Sequence, residues 1–84
     1  MRPNPHSTHG ISVKWGNGTA KLIAVTCDPA VARVKAMDLL RRAAAAGHKQ
    51  AQACVIRLGE TPIAEATWTI NGRQVVKVQP HLLG

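Results

Sequence analysis

The side chains that could carry chemistry in this chain are two cysteines, four carboxylates and four histidines. Cys27 and Cys54 do not form a Cys-x-x-Cys pair. Both fall in apolar, β-like runs, where a free cysteine behaves as a small hydrophobe. A nucleophilic thiolate needs exposure and an electropositive setting. Cys27, just before a helix start, is the better placed of the two. The plainer reading of both is a reduced core thiol. Asp28 reads as a helix cap, Asp38 as a helix-face residue and Glu60 as part of a turn, so no carboxylate pair is set up for acid–base work. His6-x-x-His9 is the one close histidine pair, with no cysteine or carboxylate near it. Structural zinc sites take four ligands, so the pair reads as part of a solvated arm. His48 follows a helix stop and His81 lies near the C-terminus, and neither suggests a role. The glycines match neither a Walker loop nor a dinucleotide fingerprint. The sequence therefore predicts no enzyme, no metal site and no cofactor.

What stands out instead is charge. Eleven Lys and Arg against four Asp and Glu leave a net charge of +7. Such an excess favours an anionic partner: nucleic acid, an acidic protein face or anionic lipid. Solubility alone is the competing explanation. Lys14 and Lys21, joined by Arg57 and Lys77, are expected on one open sheet face. Lys35, Arg41 and Arg42 are expected as a second basic strip on a helix. Groups of this kind contact phosphates and give salt-dependent, sequence-tolerant binding. The chain has two Trp and no Phe or Tyr, so the strands lack the aromatics that stack RNA bases. Trp15 at a hairpin tip could stack, but core packing is the stronger expectation for it.

The elements that would position these groups can be read from alternation and turn chemistry. Residues 1–10 contain two prolines and no periodicity, and predict a flexible arm. Ile11, Val13 and Trp15 alternate with Ser12 and Lys14, and Ala20, Leu22 and Ala24 alternate with Lys21, Ile23 and Val25. Asn17-Gly18 between them predicts a two-residue type I′ hairpin. That register pairs Trp15 with Ala20, Val13 with Leu22, and Ile11 with Ala24 on the core face. It sets Lys14 against Lys21 on the other face, a like-charge pairing that costs stability unless solvated or met by an anion. Asp28-Pro29 opens a helix and Gly47 stops it. Its apolar arc holds Val34, Ala36, Met37, Leu39, Leu40, Ala43 and Ala44. Asp38 can pair with Arg42.

Strands are predicted over residues 50–58 and 63–70, with a turn at residues 59–62. Asn71-Gly72 turns into a fifth strand over 73–78, whose register the sequence leaves open. Residues 80–84 are expected as a loose tail, with Leu82 and Leu83 available to cover an edge. The prediction is one α+β domain over residues 11–79, ordered β-β-α-β-β-β, with one helix on a mainly antiparallel sheet. A helix cannot cover five strands, so the second face is expected to be open or used by a partner.

At 84 residues the chain is near the small end of what folds alone. Homodimerisation is one remedy for so small a core. No leader pattern and no membrane-length apolar run is present, which reads as a cytoplasmic, non-membrane protein.

The size, the strand and helix order, and a helix opened by Cys27-Asp28-Pro29-Ala30 and continued by Lys35-Ala36-Met37 resemble small phage-encoded anti-CRISPR proteins directed at type I systems. The similar stretch covers roughly residues 11–58. That group is united by role, so the resemblance carries over no functional residue. It implies a non-catalytic inhibitor that docks on a Cas protein or its surveillance complex. Several members are acidic mimics of DNA; this basic chain departs from them, and would dock on an acidic or apolar protein surface. The alternative expectation is a sequence-tolerant nucleic-acid-binding module using the sheet face and the helix strip.

Overall fold

The computed structural model describes residues 7–82. Its elements are β1 (His9–Trp15), β2 (Lys21–Thr26), α1 (Pro29–Ala45), β3 (Ala51–Arg57), β4 (Ile63–Asn71) and β5 (Gln74–Val78). The strands form one sheet in the order β2-β1-β3-β4-β5, with every neighbouring pair antiparallel. β2 and β3 flank β1, so the β2-α1-β3 connection is a crossover with β1 lying between its two strands. The α+β class and the element order are those expected from the sequence.

The helix is set by its ends. The Asp28 side chain accepts a hydrogen bond from the Ala30 N–H at 2.9 Å, and Pro29 follows the cap. At the other end Gly47 takes φ +96°. The Gly47 N–H donates to Ala44 and the His48 N–H donates to Ala43, the bond pair of a Schellman stop. Ala32, Ala36, Leu40 and Ala43 are buried. They face Ile11, Val13, Ala51, Ala53, Val55, Ala66, Trp68 and Ile70 in one core. Alanines on both layers bring helix and sheet close together. Ile11 and Leu40, each almost fully buried, contribute about 1.5–3 kcal/mol apiece. Val34 departs from the expected arc and is 62% exposed. It lies about half a helix circumference from the Ala32–Ala36–Ala43 stripe.

Both hairpins turn one residue away from their Asn-Gly pair, and the first is not the expected type I′ turn. The Gly18 N–H donates to Trp15 C=O at 2.8 Å, so Gly16-Asn17 is the turn. Asn71 pairs with Gln74, so Gly72-Arg73 is the other. Gly16 has φ +53° and Gly72 φ +65°, while no non-glycine residue has positive φ. Each turn places the left-handed conformation on its first central residue alone, the sign pattern of type II′. Glycine adopts it without the Cβ penalty that asparagine would meet in type I′.

Two bulges set the rest of the register. Between β1 and β2, Ile11 faces Ala24 as expected, but Ser12 faces Leu22 and Val13 faces Lys21, leaving Ile23 as the extra residue. Leu22 therefore leaves the core face and is 52% exposed. Between β3 and β4, Val55 faces Ala66 and Ile56 faces Ala64, leaving Glu65 as the extra residue. On β5, Val75 and Lys77 lie opposite Ile70 and Trp68 on the helix side, and Val76 and Val78 lie on the other side.

The expected boundary of the N-terminal arm also moves. β1 starts at His9, which is buried; His6 lies outside the described residues. At the C-terminus, His81 is tied to the sheet. Its carbonyl lies 3.4 Å from both Cys54 Sγ and Thr67 Oγ1, and its N–H donates to Thr67 Oγ1 at 3.4 Å. The chain's own tail thus crosses the face away from the helix, where Ser12, Cys54 and Thr67 are buried. Leu82 is 51% exposed, and Leu83 lies outside the described residues. No helix among the described residues is long and apolar enough to cross a membrane.

Candidate functional site

The four expected sheet-face cations do not share a face. Lys14 lies opposite Gln52 on the face away from the helix. Lys21 lies opposite Val13, Arg57 opposite His9 and Lys77 opposite Trp68, all on the helix side. The predicted Lys14–Lys21 opposition is absent, because the Ile23 bulge flips Lys21 to the face opposite Lys14, beside Val13. Lys35, Arg41 and Arg42 are exposed on the helix as expected. Arg42 Nε is bonded to Asp38 Oδ2 at 3.0 Å.

The charges are instead sorted along the strand direction. One end of the sheet carries the β1–β2 turn, the α1–β3 link and the β4–β5 turn. Lys14, Lys21, Arg41, Arg42, Lys49 and Arg73 all belong to this end. Two shallow grooves mark it. One, of about 200 Å³, runs between Lys14, Lys49, Gln50, Gln52 and Thr69. The other, of about 450 Å³, runs between Arg41 and Arg73 beside the helix stop at Gly47. The carboxylates Asp28, Glu60 and Glu65 belong to the opposite end, at the helix N-terminus, the β3–β4 link and the start of β4. Among the described residues, the one carboxylate side chain near the basic end, Asp38, is held by Arg42.

Sequence reasoning missed Lys49 and Arg73. Both lie in connections, where no alternation marks a face. Their joint placement follows only from the topology, which brings every second connection to the same end.

Trp15 also departs from expectation. It is 44% exposed rather than packed in the core. Its ring lies 5.0 Å from that of His48, tilted by 50°. The Schellman stop positions His48, and the Gly16 N–H to Gln50 C=O bond of 2.9 Å ties the end of β1 to the start of β3. An aromatic pair thus stands among the cations of the basic end.

At the other end His9 and Glu65 form a partly buried pair. His9 Nε2 lies 3.2 Å from each Glu65 carboxylate oxygen, and His9 Nδ1 lies 2.7 Å from Thr8 Oγ1. The β4 bulge takes Glu65 out of the strand alternation and lets it reach across β3. Glu65 and Thr8 together occupy both ring nitrogens of His9, which leaves Glu65 engaged. Cys54 is buried and Cys27 exposed. Burial pushes the Cys54 thiol up, while the hydrogen bond from Thr67 opposes the shift. Among the described residues no three His, Cys, Asp or Glu side chains cluster as a metal site would require.

No family model, curated protein or solved structure matches this chain.

Proposed function

We propose that this chain is a non-catalytic binding domain whose basic end takes nucleic acid through its phosphates. The sorting of charge carries this reading: Lys14, Lys21, Arg41, Lys49 and Arg73 converge at one end, while the carboxylates gather at the other or are paired. A cluster of this kind lowers the energy of a nearby polyanion and releases its condensed counterions. Several of the reactive groups are engaged in holding the fold, which supports a role without catalysis. Asp28 caps the helix, Glu65 holds His9, and Cys54 lies beneath the tail.

The test compares charge reversals at the two ends, read by anisotropy of labelled oligonucleotides at about 50 mM salt, where phosphate-driven affinity is strong. Lys49→Glu with Arg73→Glu should weaken binding about a hundredfold. Arg33→Glu with Arg57→Glu, at the other end, removes the same charge and should leave affinity within about threefold. Equal losses from both pairs would remove the basic end as the site.

A second reading, an inhibitor of the anti-CRISPR kind docking on a Cas protein, draws on one observation. Leu22 and Ile23 are 52% and 49% exposed on β2, an edge strand of the sheet. Lys21 beside them suits an acidic surface. This reading predicts a stoichiometric complex with a type I Cas subunit that survives nuclease treatment and is lost in Leu22→Asp. A complex that nuclease dissolves would count against it.

A further inference from the structure

We infer that Trp15 and His48, with the Lys14–Lys49 groove beside them, form a platform for an unpaired nucleotide, so that this domain prefers single-stranded nucleic acid over duplex. The inference rests on the basic-end reading and deepens it by naming the strand form. Three observations carry it. First, Trp15 leaves a large indole surface open to solvent, at 44% exposure, in a chain whose other tryptophan is 6% exposed in the core. Second, the indole has an aromatic neighbour. The His48 ring lies 5.0 Å from it, on a residue whose backbone N–H is bonded to Ala43 at the helix stop. Third, the residues that follow these two rings, Gly16 and Lys49, line the groove with Lys14, Gln50, Gln52 and Thr69. The indole lies on the helix side of the sheet and Lys14 on the other, so the aromatic pair and the groove meet at the strand end, where Gly16 is bonded to Gln50.

The chemistry of this combination is specific to an unpaired base. A base freed from its partner offers a π-face to the indole, and stacking of that kind tolerates any base. The neighbouring phosphates meet the lysines, and the Gln50, Gln52 and Thr69 side chains offer hydrogen bonds to sugar or base edges. A duplex keeps its bases stacked on one another, so it can use the cations but not the indole. DNA and RNA single strands share the recognised chemistry.

The test measures binding of oligothymidine, oligouridine and a mixed-sequence duplex, of equal phosphate count, to the full chain at about 50 mM salt. The single strands should bind more tightly than the duplex, with quenching of Trp15 emission. Trp15→Ala should weaken single-strand binding about tenfold and leave duplex binding unchanged. Trp15→Phe should retain most of the affinity, because the stacking surface is kept. Emission from the buried Trp68 reports that each variant is folded. A preference for either single strand over duplex supports the platform. If Trp15→Ala weakens single strand and duplex alike, or neither, the platform is wrong while the basic-end reading stands. If no oligonucleotide binds, the basic-end reading fails and takes the platform with it.

Discussion

At the scale of single residues, the clearest contrast is between the two thiols. Cys54 lies at 0% exposure beneath the returning tail, and Cys27 stands exposed beside the helix cap. A disulfide reagent should therefore label one thiol per native chain quickly, and the second only after unfolding. Fast labelling of both would mean that the tail does not stay on the sheet. The same burial has a pH consequence. The folded state holds the Cys54 proton above the ordinary value of 9.0. The unfolded chain releases it near that value. Stability from the neutral thiol is fully present below this pH and is lost as pH rises through the raised folded value. Urea midpoints should thus fall more steeply as pH rises above 9.0 for the native chain than for Cys54→Ala. Parallel slopes would show a thiol that ionises without penalty.

At the scale of elements, the hairpin turns make a sharp distinction between neighbouring residues. Gly16 carries φ +53°, with nothing within 4 Å of an added Cβ, so its substitution meets backbone strain rather than a clash. Gly16→Ala should cost about 1–2 kcal/mol. Asn17→Ala should cost less than about 0.5 kcal/mol, because Asn17 is not in the left-handed region. A type I′ turn at Asn17-Gly18 would instead penalise loss of the asparagine. Urea denaturation of the two variants decides between these. The elements were largely legible in the sequence, since their signals are local. Asp28-Pro29 and Gly47 mark the helix ends, and alternation marks each strand. Register was not legible, since it depends on neighbours far along the chain. Trp15 and Gly16 are held by pairing with the start of β3, and the Ile23 and Glu65 bulges shift the register with no signal of their own in the alternation. The His9–Glu65 pair follows from the second bulge, so nothing in the spacing of those residues announced it. The returning tail was hidden for another reason. Its anchor is the His81 backbone, which has no sequence signature.

At the scale of the whole molecule, the connections alternate between the two ends of the sheet, and charge follows that alternation. The α1–β3 link and the β4–β5 turn bring Lys49 and Arg73 to the end where Lys14 and Lys21 lie. The β2–α1 and β3–β4 links bring Asp28 and Glu60 to the other. The net charge of +7 therefore overstates what a ligand at one end can meet. The principal extents of 37 × 24 × 22 Å exceed the screening length of about 8 Å at physiological salt, so distant charges contribute little to a bound strand. Arg42 is partly neutralised by Asp38, which leaves Lys14, Lys21, Arg41, Lys49 and Arg73 as the groups able to displace counterions. For a single strand, the slope of log K against log salt should be no steeper than about −3.5, whereas all of the net charge acting together would give about −5. Lys49→Ala should flatten the slope by about 0.7, and Arg57→Ala, at the opposite end, should leave it unchanged. A slope near −5, or equal flattening by both variants, would mean that the positive charge acts as a diffuse cloud and that its placement at one end has no part in binding.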